Sequence, residues 1–222
     1  MNSRKTLPGF TYEKKLWRRN FKIVAGADEV GRGCFAGPVV AGAVAFRANS
    51  RFLIKDIRVR INDSKKLTAK QREETSFWIK RNAICYGIGL ASVSQINKLG
   101  IKKASEIAFR KAIKNSQKRI NYLLVDAFYV PFIKGLRRKN QLAIVHGDEK
   151  SFSIAAASII AKVYRDKLMI NLGLKSEYKK YFWYENKGYG TKKHRNEIIK
   201  SGITSQHRKQ YVESFLAKNQ DG

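Results

Sequence analysis

FKIVAGADEVGRGCFAGPVVAGAVAFR, residues 21–47, begins and ends in apolar alternation and turns through glycines in between. Phe21, Ile23, Ala25 and Ala27 alternate with Lys22, Val24, Gly26 and Asp28, the period-two signature of a strand, and residues 38–47 form a second β-rich run. The pattern predicts a hairpin of two long strands. Asp28 and Glu29 stand side by side where the first strand is expected to end, in a chain with 46 Lys and Arg against 17 Asp and Glu. A charged pair between apolar residues and glycines adds little to solubility, so a use for it has to be sought.

Outward from the hairpin, CYGIGLASV (85–93) reads as a third strand. NYLLVDA (121–127) and QLAIVHG (141–147) are short, largely apolar runs of the buried, parallel type. Thr68 and Gln71 form a capping box that opens a helix to about Asn82. Ile101, Ala104, Ile107, Ala108 and Ala112 keep helical spacing. SFSIAAASIIAKVYRD (151–166) opens on capping serines and places Ala157, Ser158 and Ala161 on one face, so that a helix can lie close to a sheet. Residues 172–216 are polar, basic and aromatic, with short helices expected near 192–200 and 205–216. This order predicts an α/β fold with a five-stranded mixed sheet flanked by helices. A basic tail (1–20), one domain (21–216, with its helical flank from about 172) and a short tail (217–222) are expected.

The chain has 222 residues, 43% of them hydrophobic, enough for a sizeable core. Its net charge of +29 far exceeds the roughly 2–8 that solubility asks of a small domain, so the expected partner is a polyanion. The positive clusters are dispersed and no strongly amphipathic basic helix stands out, which favours nucleic acid over an anionic membrane. No run approaches the roughly 18 apolar residues of a membrane span, and the first twenty residues lack the apolar core of a secretory leader. A cytoplasmic location is expected. Cys34 and Cys85 form no metal-binding or disulfide pattern, and reduced thiols are expected.

Three carboxylates mark strand ends: Asp28 the first, Asp126 the fourth, Asp148 just after the fifth. Neighbouring side chains on a regular strand point to opposite faces, so convergence of Asp28 and Glu29 is expected to require the chain to leave strand geometry, with Gly31 and Gly33 supplying the freedom. Converging carboxylates repel unless a cation lies between them, and oxygen-only ligation suits Mg²⁺ or Mn²⁺. Spacing alone leaves two readings open, a shared cation site or separate turn and cap residues.

GADEVGRGCFAGPVVAGAV (26–44), NDSKKLT (62–68), LLVDA (123–127), GDEKSFSIAAASIIAKVYRD (147–166) and KGYGTKKH (187–194), in that order, resemble the type 2 ribonuclease H family, ribonuclease HII, over roughly residues 21 to 211. The resemblance implies the ribonuclease H fold with a C-terminal helical extension. It also implies hydrolysis of the phosphodiester 5′ to a ribonucleotide, in RNA/DNA hybrids or at single ribonucleotides in duplex DNA, leaving 3′-hydroxyl and 5′-phosphate ends. It assigns metal binding and catalysis to Asp28, Glu29, Asp126 and Asp148, with Mg²⁺ or Mn²⁺, two ions in the reaction, activating water and steadying the leaving oxygen.

The resemblance further implies that Gly31, Arg32 and Gly33 contact the 2′-hydroxyl, that Tyr189 packs on the sugar at the RNA–DNA junction, and that Lys65 and Lys66 lie near phosphates. Cys34, Ala127, His146 and Asn186 depart from the residues common in the family (proline, glycine, lysine and histidine). A monomer without an obligate protein partner is expected. Two rivals are a ribonuclease HIII, disfavoured by Arg32 and by a motif so near the N-terminus, and a non-enzymatic basic binding protein, which would leave the carboxylates without a purpose.

Overall fold

The structure, a computed structural model, describes residues 7–48, 61 and 67–218; Lys65 and Lys66 lie outside the described residues. Five strands form one sheet: β1 (Val24–Val30), β2 (Val39–Ala45), β3 (Cys85–Ala91), β4 (Tyr122–Asp126) and β5 (Gln141–Ile144), in the order β3-β2-β1-β4-β5. β1–β2 and β2–β3 pair antiparallel, β1–β4 and β4–β5 parallel. The expected hairpin and all three further strands form, and the sheet is mixed as read from the sequence.

The capping box holds α2 (Ala69–Asn82): Gln71 N–H donates to Thr68 Oγ1 at 3.2 Å and Thr68 N–H to Gln71 Oε1 at 2.9 Å. α3 (Val93–Asn115) covers one face of the sheet, where Phe109, Ala108 and Ala112 pack on Ala25, Ala27, Ala41 and Val125. The opposite face takes α4 (Phe152–Gly173), whose Ile159 and Ile160 join Val44, Phe46 and Ile79 of α2 in a second cluster. Burying one such isoleucine is worth about 1.5–3 kcal/mol, so the two sandwiched helices carry much of the stability. α4 lies unusually close to the sheet. A Cβ on Gly26 would fall 2.2 Å from the Ile154 backbone nitrogen, and one on Gly42 2.3 Å from the Ala157 carbonyl oxygen. The small residues read on that face of α4 are thus matched by glycines on the strands.

The expected N-terminal tail is corrected in part. α1 (Thr11–Trp17) forms within it, and Phe10 and Leu16 are buried, Phe10 against Phe152 and Leu16 with Val24, Leu124 and Ile154. Glu13 is wholly buried; its Oε1 accepts from Ser151 Oγ (2.6 Å) and Ser153 N–H (3.0 Å), which gives α4 a second cap beside Ser151 itself. Burial pushes the Glu13 carboxyl above its ordinary range, opposed by the bonds from the two serines. Gly9 also bridges to the cap, accepting from Phe152 N–H at 3.0 Å. A tail of charged residues became a strap because Phe10 and Leu16 have an apolar seam to fill. Glu13→Ala should lower stability by about 2 kcal/mol, a fall of about 4–8 °C in the midpoint of thermal unfolding, since a buried N–H and hydroxyl lose their acceptor.

The flank after α4 holds three helices: α5 (Trp183–Asn186), α6 (Lys192–Ser201) and α7 (Lys209–Lys218). Tyr181, Trp183, Ile198 and Val212 make a separate small core with Met169 of α4 and Ala36 of the β1–β2 connection. That shared core fixes the flank beside the hairpin turn. No helix among the described residues is long and apolar enough to cross a membrane.

Candidate active site

β1 does not end at Asp28. It runs through Val30 with its ladder to β2 intact, Asp28 opposite Gly42 and Glu29 opposite Ala41. The expectation that the chain bends at the pair is therefore overturned; the bend comes later, at Gly31 (φ +86°). Strand alternation sends Asp28 to the α4 face and Glu29 to the other. What brings them near the remaining acids is register. Ala27 is level with Val125 on parallel β4, so Asp28 stands level with Asp126, where β4 stops.

Asp126 is fixed by Gly147 N–H, which donates to its Oδ1 at 2.7 Å. That glycine belongs to the 3₁₀ turn Gly147–Glu149 after β5, so the turn that carries Asp148 is tied to the end of β4. The chain turns tightly on both sides, with Ala127 (φ +61°) and His146 (φ +55°) in left-handed conformations that glycine or asparagine adopts with less strain. Asp28 and Asp148 are buried, and Asp28 Oδ1 also accepts from Glu29 N–H at 2.7 Å.

The electrostatics report proximity. Burial first, then the Glu29 charge, raises the Asp28 carboxyl well above its usual value, with smaller contributions from Asp126 and Asp148; a hydrogen bond from Ser158 of α4 works against the rise. Glu29 is raised by burial and by Asp126, opposed by Arg32, whose Nη1 sits 3.1 Å from Glu29 Oε1. Four carboxylates on one sheet end, coupled by repulsion and partly desolvated, form a donor set of oxygens alone. That chemistry fits a hard divalent cation. Among the described residues no three His, Cys, Asp or Glu side chains are gathered closely enough to hold a metal ion as they stand.

Of the expected substrate residues, Arg32 and Gly33 are exposed and Gly31 is buried. The Arg32 guanidinium lies 5.5 Å from the Phe128 ring, held between that ring and Glu29. Tyr189 is exposed, with Lys162 Nζ 5.4 Å and Arg165 Cζ 5.8 Å from its ring. Burial and the neighbouring Cys34 thiol, which shares a hydrogen bond with it, raise the Tyr189 hydroxyl above its ordinary range. Lys162 is one helical turn beyond Ser158, the residue that bonds Asp28. One turn advances about 5.4 Å, so the acid cluster and Tyr189 lie against adjacent turns of α4.

Sequence reasoning did not foresee the burial of four residues here. Arg165 is fully buried and donates to the carbonyls of Pro38 (3.0 Å), Lys187 (2.9 Å) and Ala36 (3.1 Å). Arg208 is fully buried and donates to Gly37 O (2.9 Å) and Arg32 O (2.7 Å). His194 and His207 meet Nε2 to Nε2 at 3.1 Å, and Trp183 Nε1–H donates to the same His194 nitrogen at 3.1 Å. His194 Nδ1–H then donates to Tyr189 O (2.8 Å), while Thr204 N–H donates to His207 Nδ1 (2.9 Å). These bonds fit one pair of neutral tautomers. A signal for Arg165 existed, since it continues the face of Ala157, Ser158 and Ala161 at helical spacing; Arg208 stands in no periodic pattern.

A sequence profile described as "Ribonuclease HII" matches residues 25–217. Ribonuclease HII of Caldanaerobacter subterraneus subsp. tengcongensis is 45% identical over 206 residues, covering 92% of this chain and 80% of that protein. Ribonuclease HII of the Brugia malayi Wolbachia is 45% identical over 205 residues, covering 92% and 93%. The crystal structure of ribonuclease H2 from Pyrococcus horikoshii superposes with a TM-score of 0.70 at 26% identity, over 87% of this chain and 98% of that one. With the profile spanning nearly the whole sheet and its flanks, the chain belongs to the ribonuclease HII family and is a ribonuclease H enzyme.

Proposed function

We propose that the protein is an endonuclease that hydrolyses the phosphodiester 5′ to a ribonucleotide, in RNA/DNA hybrids and at single ribonucleotides embedded in duplex DNA, leaving 3′-hydroxyl and 5′-phosphate ends. The observation that carries the reading is the level placement of Asp28 and Asp126 at one strand end, with Tyr189 a helical turn away. Its service would be removal of ribonucleotides from DNA, performed by a cytoplasmic monomer without an obligate protein partner.

Asp28, Glu29, Asp126 and Asp148 would hold Mg²⁺ or Mn²⁺. Bound there, divalent ions supply an ionised water at neutral pH and positive charge for the leaving 3′ oxygen. The chain's own residues set what is presented to that site. Ser158 orients Asp28, Gly147 orients Asp126, and Arg32 holds Glu29 while facing solvent. The exposed Arg32 side chain and Gly33 backbone offer polar contacts for a 2′-hydroxyl, the group that separates RNA from DNA. The Tyr189 ring, with two cations beside it, offers a flat apolar surface to the sugar next to that hydroxyl. The +29 charge supplies phosphate affinity without sequence preference.

The test is cleavage of a DNA duplex containing one ribonucleotide, with Mg²⁺, with Mn²⁺ and with chelator; binding without a metal-dependent nick overturns the reading. Arg32→Ala and Tyr189→Ala should each reduce cleavage of that duplex by about 10–100-fold, the worth of one to two substrate contacts. A long hybrid, which offers many registers, should lose less. Equal losses on both substrates would remove the junction-sensing role.

A further inference from the structure

Two arginines without function in the reading above converge on one loop. The β1–β2 connection, residues 31–38, carries the exposed residues Arg32 and Gly33, and it offers several of its carbonyls inward. Arg208 takes those of Arg32 and Gly37; Arg165 takes those of Ala36 and Pro38. Arg165 then reaches across to Lys187 O, two residues before Tyr189, and its guanidinium lies along the Tyr189 ring. The two loops also touch directly, since Phe35 N–H and Ala36 N–H both donate to Gly188 O, at 2.9 and 3.1 Å.

Gly31 records how closely this is built. A Cβ there would stand 2.1 Å from Arg165 Nε, and the φ of +86° is one that glycine accepts without strain. The glycine is needed by the arginine behind it as well as by any ligand in front. Burying a guanidinium without a carboxylate is unfavourable unless its planar donors find acceptors, and arginine alone can satisfy several divergent carbonyls at once. Arg208 keeps an unpartnered buried Nη2, and burial pulls its guanidinium down to about 10. Packing alone would be served at least as well by an apolar side chain, so these two are placed for what they hold.

We infer that Arg165 and Arg208 are positioning residues that lock the Gly31–Pro38 loop and the Lys187–Tyr189 loop into one rigid unit, and that this coupling sets the discrimination between a ribonucleotide and a deoxyribonucleotide. The second half rests on the proposed function; the first stands on geometry.

The experiment reads each half separately. In Arg165→Lys and Arg208→Lys the charge stays but the planar fork of donors that reaches divergent carbonyls is lost. Amide hydrogen exchange of the folded variants is compared with that of the unaltered protein. In Arg165→Lys the Phe35 and Ala36 amides and those of residues 187–190 should all exchange at least about tenfold faster, the loss of roughly one strong hydrogen bond. Faster exchange in only one of the two segments, or in neither, overturns the coupling, whatever the enzyme does.

In parallel, kcat and KM are measured on the single-ribonucleotide duplex and on a long hybrid. kcat/KM should fall at least about tenfold more on the former, with kcat on the hybrid near that of the unaltered protein. Equal falls on both substrates, tracking a fall in unfolding midpoint, would make the arginines merely structural. If the unaltered protein does not cut at single ribonucleotides, the proposed function fails and the assignment to discrimination falls with it; the exchange result still decides the clamp.

Discussion

Asp126→Asn should abolish metal-dependent cleavage, by about 10³-fold or more, while the folded protein survives. The size follows from losing several kcal/mol of charge stabilisation at the reacting phosphate, at roughly tenfold per 1.4 kcal/mol. Asp28→Asn should do the same and in addition raise stability in chelator. The Asp28 carboxyl lies above its unfolded value because of burial and the Glu29 charge, so its ionised form opposes folding. A raised carboxyl means that the folded state binds more protons, and stability declines as pH rises from the unfolded value near 4 through the folded value. Asparagine has no such decline. At pH 7.5 without metal, Asp28→Asn should unfold several degrees higher than the unaltered protein, and the gap should close as pH falls toward 4. An inactive variant with a lower midpoint at both pH values would mark Asp28 as a structural residue.

The second large effect belongs to the histidine pair. Burial, then the charge of His194, lowers His207 to about 3. Burial lowers His194 as well. A depressed histidine is neutral in the fold and protonated in the unfolded chain below about 6.5, so its stability is full above that pH and lost as pH falls toward the folded value. Between pH 7 and pH 4, His207 alone should remove about 3 kcal/mol. Urea midpoints at pH 7, 5.5 and 4 should fall steeply for the unaltered protein and distinctly less for His207→Gln. Parallel slopes would show that His207 titrates as it does in water. Protonation of His207 would set its Nδ1–H against the Thr204 N–H that donates to it, and protonation of His194 would set two N–H groups against each other at the Nε2 contact; since His194 holds Tyr189 O, acid should loosen the Tyr189 loop before the sheet.

The sheet was legible because its signals are local. Alternation in 21–28 and the apolar runs at 121–127 and 141–147 need no knowledge of distant residues, and the Thr68–Gln71 box is closed within one turn. α1 was not legible: seven residues are too few for a periodic signal, and its stability comes from the seam it fills. The conformation at the acid pair was not legible. Alternation on β1 forbids convergence along the strand, and what resolves it is pairing with β4, nearly a hundred residues away. Arg165 and Arg208 read as members of a general excess of positive charge, because burial of a cation depends on carbonyls that no sequence pattern announces. His194 and His207 likewise read as ordinary polar residues until Trp183 and Thr204 were brought against them.

α4 unites these elements in a way that concerns measurement more than packing. Along a single uninterrupted helix, its start is anchored by Glu13, Ser158 touches Asp28, Lys162 and Arg165 face Tyr189, and Met169 enters the core of the flank. The spacing between chemistry and recognition is therefore set in units of helical pitch. It behaves as a ruler, not as a hinge. Inserting or deleting one residue between Ser158 and Arg165 would turn everything beyond it by about 100° and leave the acid cluster and Tyr189 out of step.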